Sequence, residues 1–368
     1  MTRILILGGY GVFGSRLARI LVDDARLDLI IAGRDQEKAD QFVASLTGGA
    51  RTVAAMIDTD QIERALNSWA PDLVVHCAGP FQGQDYRVAQ ACITAGIHYA
   101  DLSDGRAFVS NFHSLDKAAR AANIFALTAA STTSALSTAV AIALGDSFAR
   151  VDSICVGVTP GNRAPRGKAV VGAILSYVGE PIPVLRNGEH AMNTGWGSAR
   201  RVQLPGLKDR WFSPCDAPDM CALPKLFPDV RSVEFLAGLE LSMLHLPLVA
   251  LAQLRRLRIV PNLAGATSFF HRVASWFEPL GSDEGGMFVE MAGTSNEGTA
   301  SRRRWSLWAG AGDGPFIPAM AAAILARRVA AGDVPVPGAR ICAGDIALTG
   351  FEQEFSAFNI NTKTETLT

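Results

Sequence analysis

Between positions 98 and 103 the chain carries His98, Tyr99, Asp101 and Ser103, four side chains that can hold or pass a proton. Together at one strand end they can form a relay. Strand alternation sets Tyr99, Asp101 and Ser103 on one face and His98 on the other. Asp101 has a second reading, as the cap of a following helix, and buried Tyr and His commonly satisfy local hydrogen bonds. A cationic cluster follows in the loop TPGNRAPRGK, with Arg163, Arg166 and Lys168. Arginine forks of this kind grip a carboxylate, and the alternative is a solvated basic loop. We take His98, Tyr99 and Asp101 as candidate catalytic residues, and Ser103, Arg163 and Arg166 as candidate substrate-binding residues.

These groups need a partner molecule, and the N-terminus supplies a place for one. The stretch ILILGGYGVFGSRLARIL runs from aliphatic residues through Gly9, Tyr10, Gly11, Val12, Phe13 and Gly14 into helical spacing. That is G-x-G-x-x-G between a strand and a helix. The first glycine permits a tight turn, the second a close approach of backbone to a pyrophosphate, and the third helix–strand packing. The free N–H groups and the dipole of the helix then face the anion.

At the end of the second strand, where an acid would take the ribose 2′-hydroxyl of NAD(H), the sequence has AGRD, with Arg34 ahead of Asp35. A guanidinium suits the 2′-phosphate of NADP(H), which is the expected cofactor. Asp35 is the alternative, able to bind an unphosphorylated ribose. Asp58, closing the third aliphatic run, joins the cofactor-binding set.

The elements that must position these residues follow from periodicity. Short aliphatic runs at 3–9, 27–34, 51–58, 72–79, 97–103 and 124–131 alternate with amphipathic stretches. This predicts an α/β fold with a doubly wound parallel sheet over 1–149. Residues 150–312 read as an α+β domain with a mostly antiparallel sheet, in which RRR at 302–304 marks a solvated strand edge. The segment 317–332 has helical character, with Pro318 in its first turn.

Composition bounds the function. The chain has 368 residues, 49% of them hydrophobic, and 34 Lys and Arg against 35 Asp and Glu. A net charge of −1 gives no general attraction to nucleic acid. The six scattered cysteines show no zinc-ligand spacing and read as reduced thiols, and no secretory signal pattern precedes the first strand. A cytoplasmic protein is expected. The apolar stretch 236–254 is broken by Glu240, His245 and Pro247, which predicts a buried or interfacial helix pair and no integral membrane span. Neither a G-x-S-x-G elbow nor an HExxH motif occurs, so serine hydrolase chemistry and a metal site have no support.

Several stretches together resemble the saccharopine dehydrogenase-like oxidoreductases: ILILGGYGVFGSRLA, IIAGRDQEKA, VVHCAGPFQGQDYRVAQACITAGIHYADLSD and TPGNRAPRGK. The resemblance implies a Rossmann domain, an inserted α+β domain for substrate and dimerisation, and a C-terminal segment over 313–368 that returns a helix to the first domain. It puts Ala78, Gly79 and Pro80 near the cofactor, and Asp101 and Ser103 where nicotinamide and substrate meet. The family commonly follows DLS with Gly and Glu, whereas this chain has Asp104 and Gly105, which marks a branch distinct from the true saccharopine enzymes. The implied chemistry is hydride transfer to or from a C–N bond of a small, amino-acid-like substrate, in a homodimer. The alternatives are reduction of an apolar C=C or C=O group, favoured if 236–254 lines a pocket, and a non-catalytic NADP(H) sensor.

Overall fold

The computed structural model describes residues 1–165, 167–260 and 263–367. The chain divides into two compact units, Met1–Leu136 with Phe316–Phe351, and Ser137–Pro315 with Glu352–Thr368.

In the first unit, β1 (Thr2–Leu7), β2 (Leu27–Gly33), β3 (Arg51–Met56), β4 (Leu73–His76), β5 (His98–Asp101) and β6 (Phe125–Thr128) form a parallel sheet. Ile4 to Leu7, Leu29 to Ala32 and Leu73 to Val75 are buried, as strands covered by helices on both faces must be. The covering helices include α1 (Gly14–Leu21), α2 (Gln36–Ala44), α3 (Ile62–Trp69) and α4 (Arg87–Ala95). From β1 the chain proceeds outward to β2 and β3, then restarts at β4 on the other side of β1 and proceeds to β5 and β6. The strand order therefore reverses between β1 and β4, and a ligand crevice belongs at their carboxyl ends.

The returning segment brings both the expected helix, Ile317–Ala330, and a strand, Gly338–Ile341, which pairs with β6 and extends the sheet to seven strands. At four residues, behind the turn-forming VPVPG, this strand is too short to show a period.

The second unit is built on a mixed sheet. The long strand Phe148–Thr159 pairs parallel with Ser232–Leu239 on one side and antiparallel with Gly285–Ser295 on the other. Two sequence expectations fail here. Residues 236–239 belong to the strand Ser232–Leu239, and only Ser242–Arg256 is helical; pairing with two neighbouring strands overrides an apolar run that periodicity alone cannot classify. Ala300–Ala309, which carries the three arginines, is not an edge, because Ile360–Thr366 pairs along it. Arg302 and Arg304 instead grip the two carboxylate oxygens of Glu290 on the neighbouring strand, at 2.8 Å for Arg302 Nε and 2.7 Å for Arg304 Nη2. No helix among the described residues is long and apolar enough to cross a membrane.

Candidate functional site

The glycine loop sits at the point where the strand order reverses. The left-handed residue of its turn is Gly8, with φ of 76°, one position ahead of the motif as read from the sequence. A Cβ on Gly8 would stand 3.0 Å from the backbone of Ala78, so this is where the loops after β1 and β4 meet. Gly9 serves packing, since a side chain there would collide with Ile31 Cγ2 at 2.8 Å. A Cβ on Gly14 would lie 2.2 Å from the Gly8 carbonyl oxygen, so only glycine lets α1 begin this close to the turn. Among the described residues, the N–H groups of Val12 and Phe13 donate to no backbone carbonyl, and α1 has neither a side-chain cap nor an acid in its first turn. An anion satisfies such an end.

At the end of β2, Tyr10 organises the backbone. Its ring covers Gly33, where a Cβ would fall 2.4 Å from Cε1, and its Oη accepts the Asp35 N–H at 2.9 Å. The Asp35 carboxylate turns into α2, accepting the Lys38 N–H at 3.2 Å and pairing with Lys38 Nζ at 2.8 Å. Arg34 is exposed and has no partner among the described residues. Asp58, also exposed, accepts the Asp60 N–H at 3.2 Å and so caps the short turn Thr59–Gln61.

After β4, Gln84 Nε2 donates to the carbonyls of Ala78 at 2.9 Å and Pro80 at 2.7 Å, fixing the segment that contains Gly79. Beside it, β5 ends at Asp101, whose carboxylate is fully buried and fully satisfied. Oδ1 accepts the N–H groups of Ser103 and Ala129 and the hydroxyl of Thr128, each at 2.9 Å, and Oδ2 accepts the Tyr99 hydroxyl at 3.1 Å. Burial raises the carboxyl to about 6 despite these bonds, each of which favours the charged form. Tyr99 Oη in turn lies 3.3 Å from Nδ1 of His76, and burial pulls that imidazole down to about 4. A neutral His76 donating from Nδ1 makes the order His76 to Tyr99 to Asp101, and leaves Nε2 as a buried acceptor without a partner among the described residues.

Ser103 is buried and its Oγ accepts the Gly105 N–H at 3.3 Å; Asp104 Oδ1 accepts Gln82 Nε2 at 3.2 Å. Tyr99, Asp101 and Ser103 are thus brought together, and His98 is not. His98 opens β5, at the amino end of the strand, where it stacks on Phe125 with centroids 4.4 Å apart and accepts the Phe125 N–H at 3.2 Å. The alternative reading of Asp101, as a helix cap, gives way to a latch between β5 and β6.

His76 and Thr128 are functional candidates that the sequence reading passed over. Both close their strands, and His76 is the register partner of Asp101. Aligning β4, β5 and β6 at their carboxyl ends would have found them.

In the second unit, Arg163 is exposed; its N–H donates to Ser282 O at 2.9 Å and its Nη2 to Pro279 O at 3.2 Å. The loop is fastened by Glu240, which accepts the Asn162 N–H at 2.5 Å and the Ser282 hydroxyl at 2.7 Å. Arg166 lies outside the described residues.

Residues 4–139, which contain the glycine loop, the Arg34 position and the Asp101 latch, match the model of the saccharopine dehydrogenase NADP binding domain. The match agrees with the resemblance read from the sequence over this part of the chain, and the matched domain is one named for NADP binding. The whole fold is similar to that of saccharopine dehydrogenase (L-Glu forming) from Saccharomyces cerevisiae, with a TM-score of 0.71 at 13% identity over 100% of both chains. A meso-diaminopimelate dehydrogenase variant from Clostridium tetani aligns over 97% of this chain and 99% of its own, at 14% identity and a TM-score of 0.47. An amine dehydrogenase from Mycobacterium smegmatis aligns over 93% and 94%, at 11% identity and 0.45. No curated protein matches the sequence.

Proposed function

We propose that the protein is an NADP(H)-dependent oxidoreductase that moves hydride to or from the carbon of a C–N bond in an amine or imine substrate of amino-acid-like kind. The observation that carries the cofactor choice is the pairing of Asp35 with Lys38, beside an Arg34 that has no partner among the described residues. NAD(H) asks for a carboxylate on its ribose, and that carboxylate is committed to α2; a 2′-phosphate asks for a cation with a planar fork. The loop from Gly9 to Gly14 would take the pyrophosphate, Arg34 and Asp58 the adenosine side, and Ala78, Gly79 and Pro80 the segment beside β4. Bound there, the dinucleotide supplies the hydride.

The chain's own share of the chemistry lies in the buried network. Asp101, with Tyr99 and His76 behind it, can take up a proton near pH 6 at the carboxyl ends of β4 and β5, and Ser103 stands next to it. His98 takes no part in this reading. Arg163, with Arg166, is the proposed grip on a substrate carboxylate.

A second reading, reduction of an apolar C=C or C=O group, is favoured by one observation. Leu239, Leu244, Pro247, Leu248 and Leu251 line an apolar cavity of about 260 Å3 in the second unit. Incubation of the protein with NADPH and mixtures of keto acids with amines, and separately with apolar enones and ketones, separates the two readings by loss of NADPH absorbance. Oxidation confined to the first panel supports C–N chemistry, and oxidation confined to the second supports the alternative. Silence in both, with NADPH bound, overturns both in favour of a sensor.

A further inference from the structure

The exposed large apolar side chains of the second unit are concentrated on two helices and their flanks. Met243, Leu246, Leu254, Leu257, Ile259, Phe269, Trp276 and Leu280 all fall between positions 243 and 280. On the helix Ser242–Arg256 and its C-cap they form a stripe: Met243, Leu246, Ala250, Leu254 and the capping Leu257 recur every three or four residues on the solvent side, opposite the buried His245, Leu248 and Ala252. The neighbouring helix Thr267–Trp276 presents Phe269, Arg272 and Trp276 at the same spacing, with Phe269 63% and Trp276 69% exposed. The apolar cavity opens within this surface, since Met243 and Pro247 line it and are also exposed.

The charge of the patch departs from that of the chain. Between 241 and 280 the ionised residues are Arg255, Arg256, Arg258, Arg272 and Glu278, in a protein of net charge −1. Arg255 is spent on Glu180 and the Val178 carbonyl. Arg256, Arg258 and Arg272 are exposed, and none has a partner among the described residues. We infer that this face docks the protein on the surface of an anionic lipid bilayer, without spanning it. Leucine, phenylalanine and tryptophan side chains enter the headgroup and acyl boundary, while arginines reach anionic headgroups from the same helices. A second copy of the chain fits less well, because a two-fold contact sets this patch against itself and brings three unpaired arginines against three more.

The inference is independent of the catalytic reading, and its test needs no turnover. The full-length protein is floated with vesicles of phosphatidylcholine alone and of phosphatidylcholine with phosphatidylglycerol. The expected result is co-flotation with the anionic vesicles only, weakened by salt and reduced about tenfold or more by Arg256→Glu with Arg258→Glu. Phe269→Asp with Trp276→Asp should abolish it while circular dichroism and NADPH binding stay as in the wild type. If that pair misfolds, quenching of tryptophan fluorescence by brominated phosphatidylglycerol decides: the wild type should be quenched, and Trp276→Phe should float equally but lose the quenching. Absence of flotation overturns the inference, as does flotation indifferent to both the arginine-to-glutamate pair and the aspartate pair. A concentration-dependent dimer that Trp276→Asp dissociates, with no vesicle binding, assigns the face to a second copy instead.

Discussion

Asp101 Oδ1 accepts the backbone N–H of Ala129 at 2.9 Å, a bond across 28 positions that ties the carboxyl end of β5 to the residue that follows β6. The same oxygen holds the Ser103 N–H and the Thr128 hydroxyl, so one carboxylate fixes the turn after β5 and the end of β6 at the edge where substrate chemistry is proposed. Its structural and chemical roles can be separated by substitution. In Asp101→Asn the amide oxygen keeps the three bonds to Oδ1, and the amide nitrogen donates to Tyr99 Oη once that hydroxyl turns toward His76 and the imidazole shifts its proton from Nδ1 to Nε2 to accept it. The protein should fold normally but lose turnover about a hundredfold, with the limb of its pH profile near 6 gone. Asp101→Ala leaves the Ser103 and Ala129 N–H groups unpaired and should cost about 2–4 kcal/mol in urea unfolding. Full activity in the Asn variant would reduce Asp101 to a latch alone.

Acid should loosen the second unit before the first. Burial lowers His76 and His245 to about 4, from 6.5, so each is neutral in the folded chain while the unfolded chain binds a proton. His245 is held neutral, with Nδ1 accepting the Leu239 N–H at 3.3 Å and Nε2 donating to Ser213 Oγ at 2.8 Å. For a depressed pKa the stability is complete above 6.5 and is lost as pH falls toward 4, by up to about 3 kcal/mol per histidine. Asp101 has the opposite sign: its raised pKa makes the folded state gain as pH falls from 6 toward 4, which offsets His76 in the first unit. Melting followed between pH 7 and 4 should show an acid-labile transition that His245→Gln makes less dependent on pH. Equal loss from both units would contradict this.

Among the described residues the Arg163 guanidinium makes one hydrogen bond, to Pro279 O, and leaves donors free. If it grips a substrate carboxylate, Arg163→Ala should raise KM about tenfold or more and leave the NADPH dissociation constant unchanged, as loss of a charged hydrogen bond predicts. Lysine at the same place should restore charge without the fork and recover part of the effect. A change confined to cofactor binding removes Arg163 from the substrate side.

What the sequence made legible was local. Glycine spacing, aliphatic runs and the AGRD turn lie within single βα units, and each marks its own structure by steric need or by period. The misses are contacts between distant segments. Thr128 and Ala129 reach Asp101 only once β5 and β6 lie side by side, and His76 meets Tyr99 only through the register of β4 with β5. Gly8 was overshadowed because a motif counts spacing, whereas its left-handed turn is set by the approach of Ala78. The pairing of Glu290 with Arg302 and Arg304 depends on the hairpin register, so a run of arginines that reads as solvated becomes a clamp.

The proposed preference for a phosphorylated cofactor rests on Arg34, which has no partner among the described residues, standing beside an Asp35 already bound to Lys38, and fluorescence titration with NADPH and NADH tests it most directly. The wild type should bind NADPH about ten- to a hundredfold more tightly, the worth of a charge-assisted contact, and Arg34→Asp should erase the difference by weakening NADPH alone. Equal or tighter binding of NADH by the wild type, or an Arg34→Asp variant that keeps its preference for NADPH, would contradict the account.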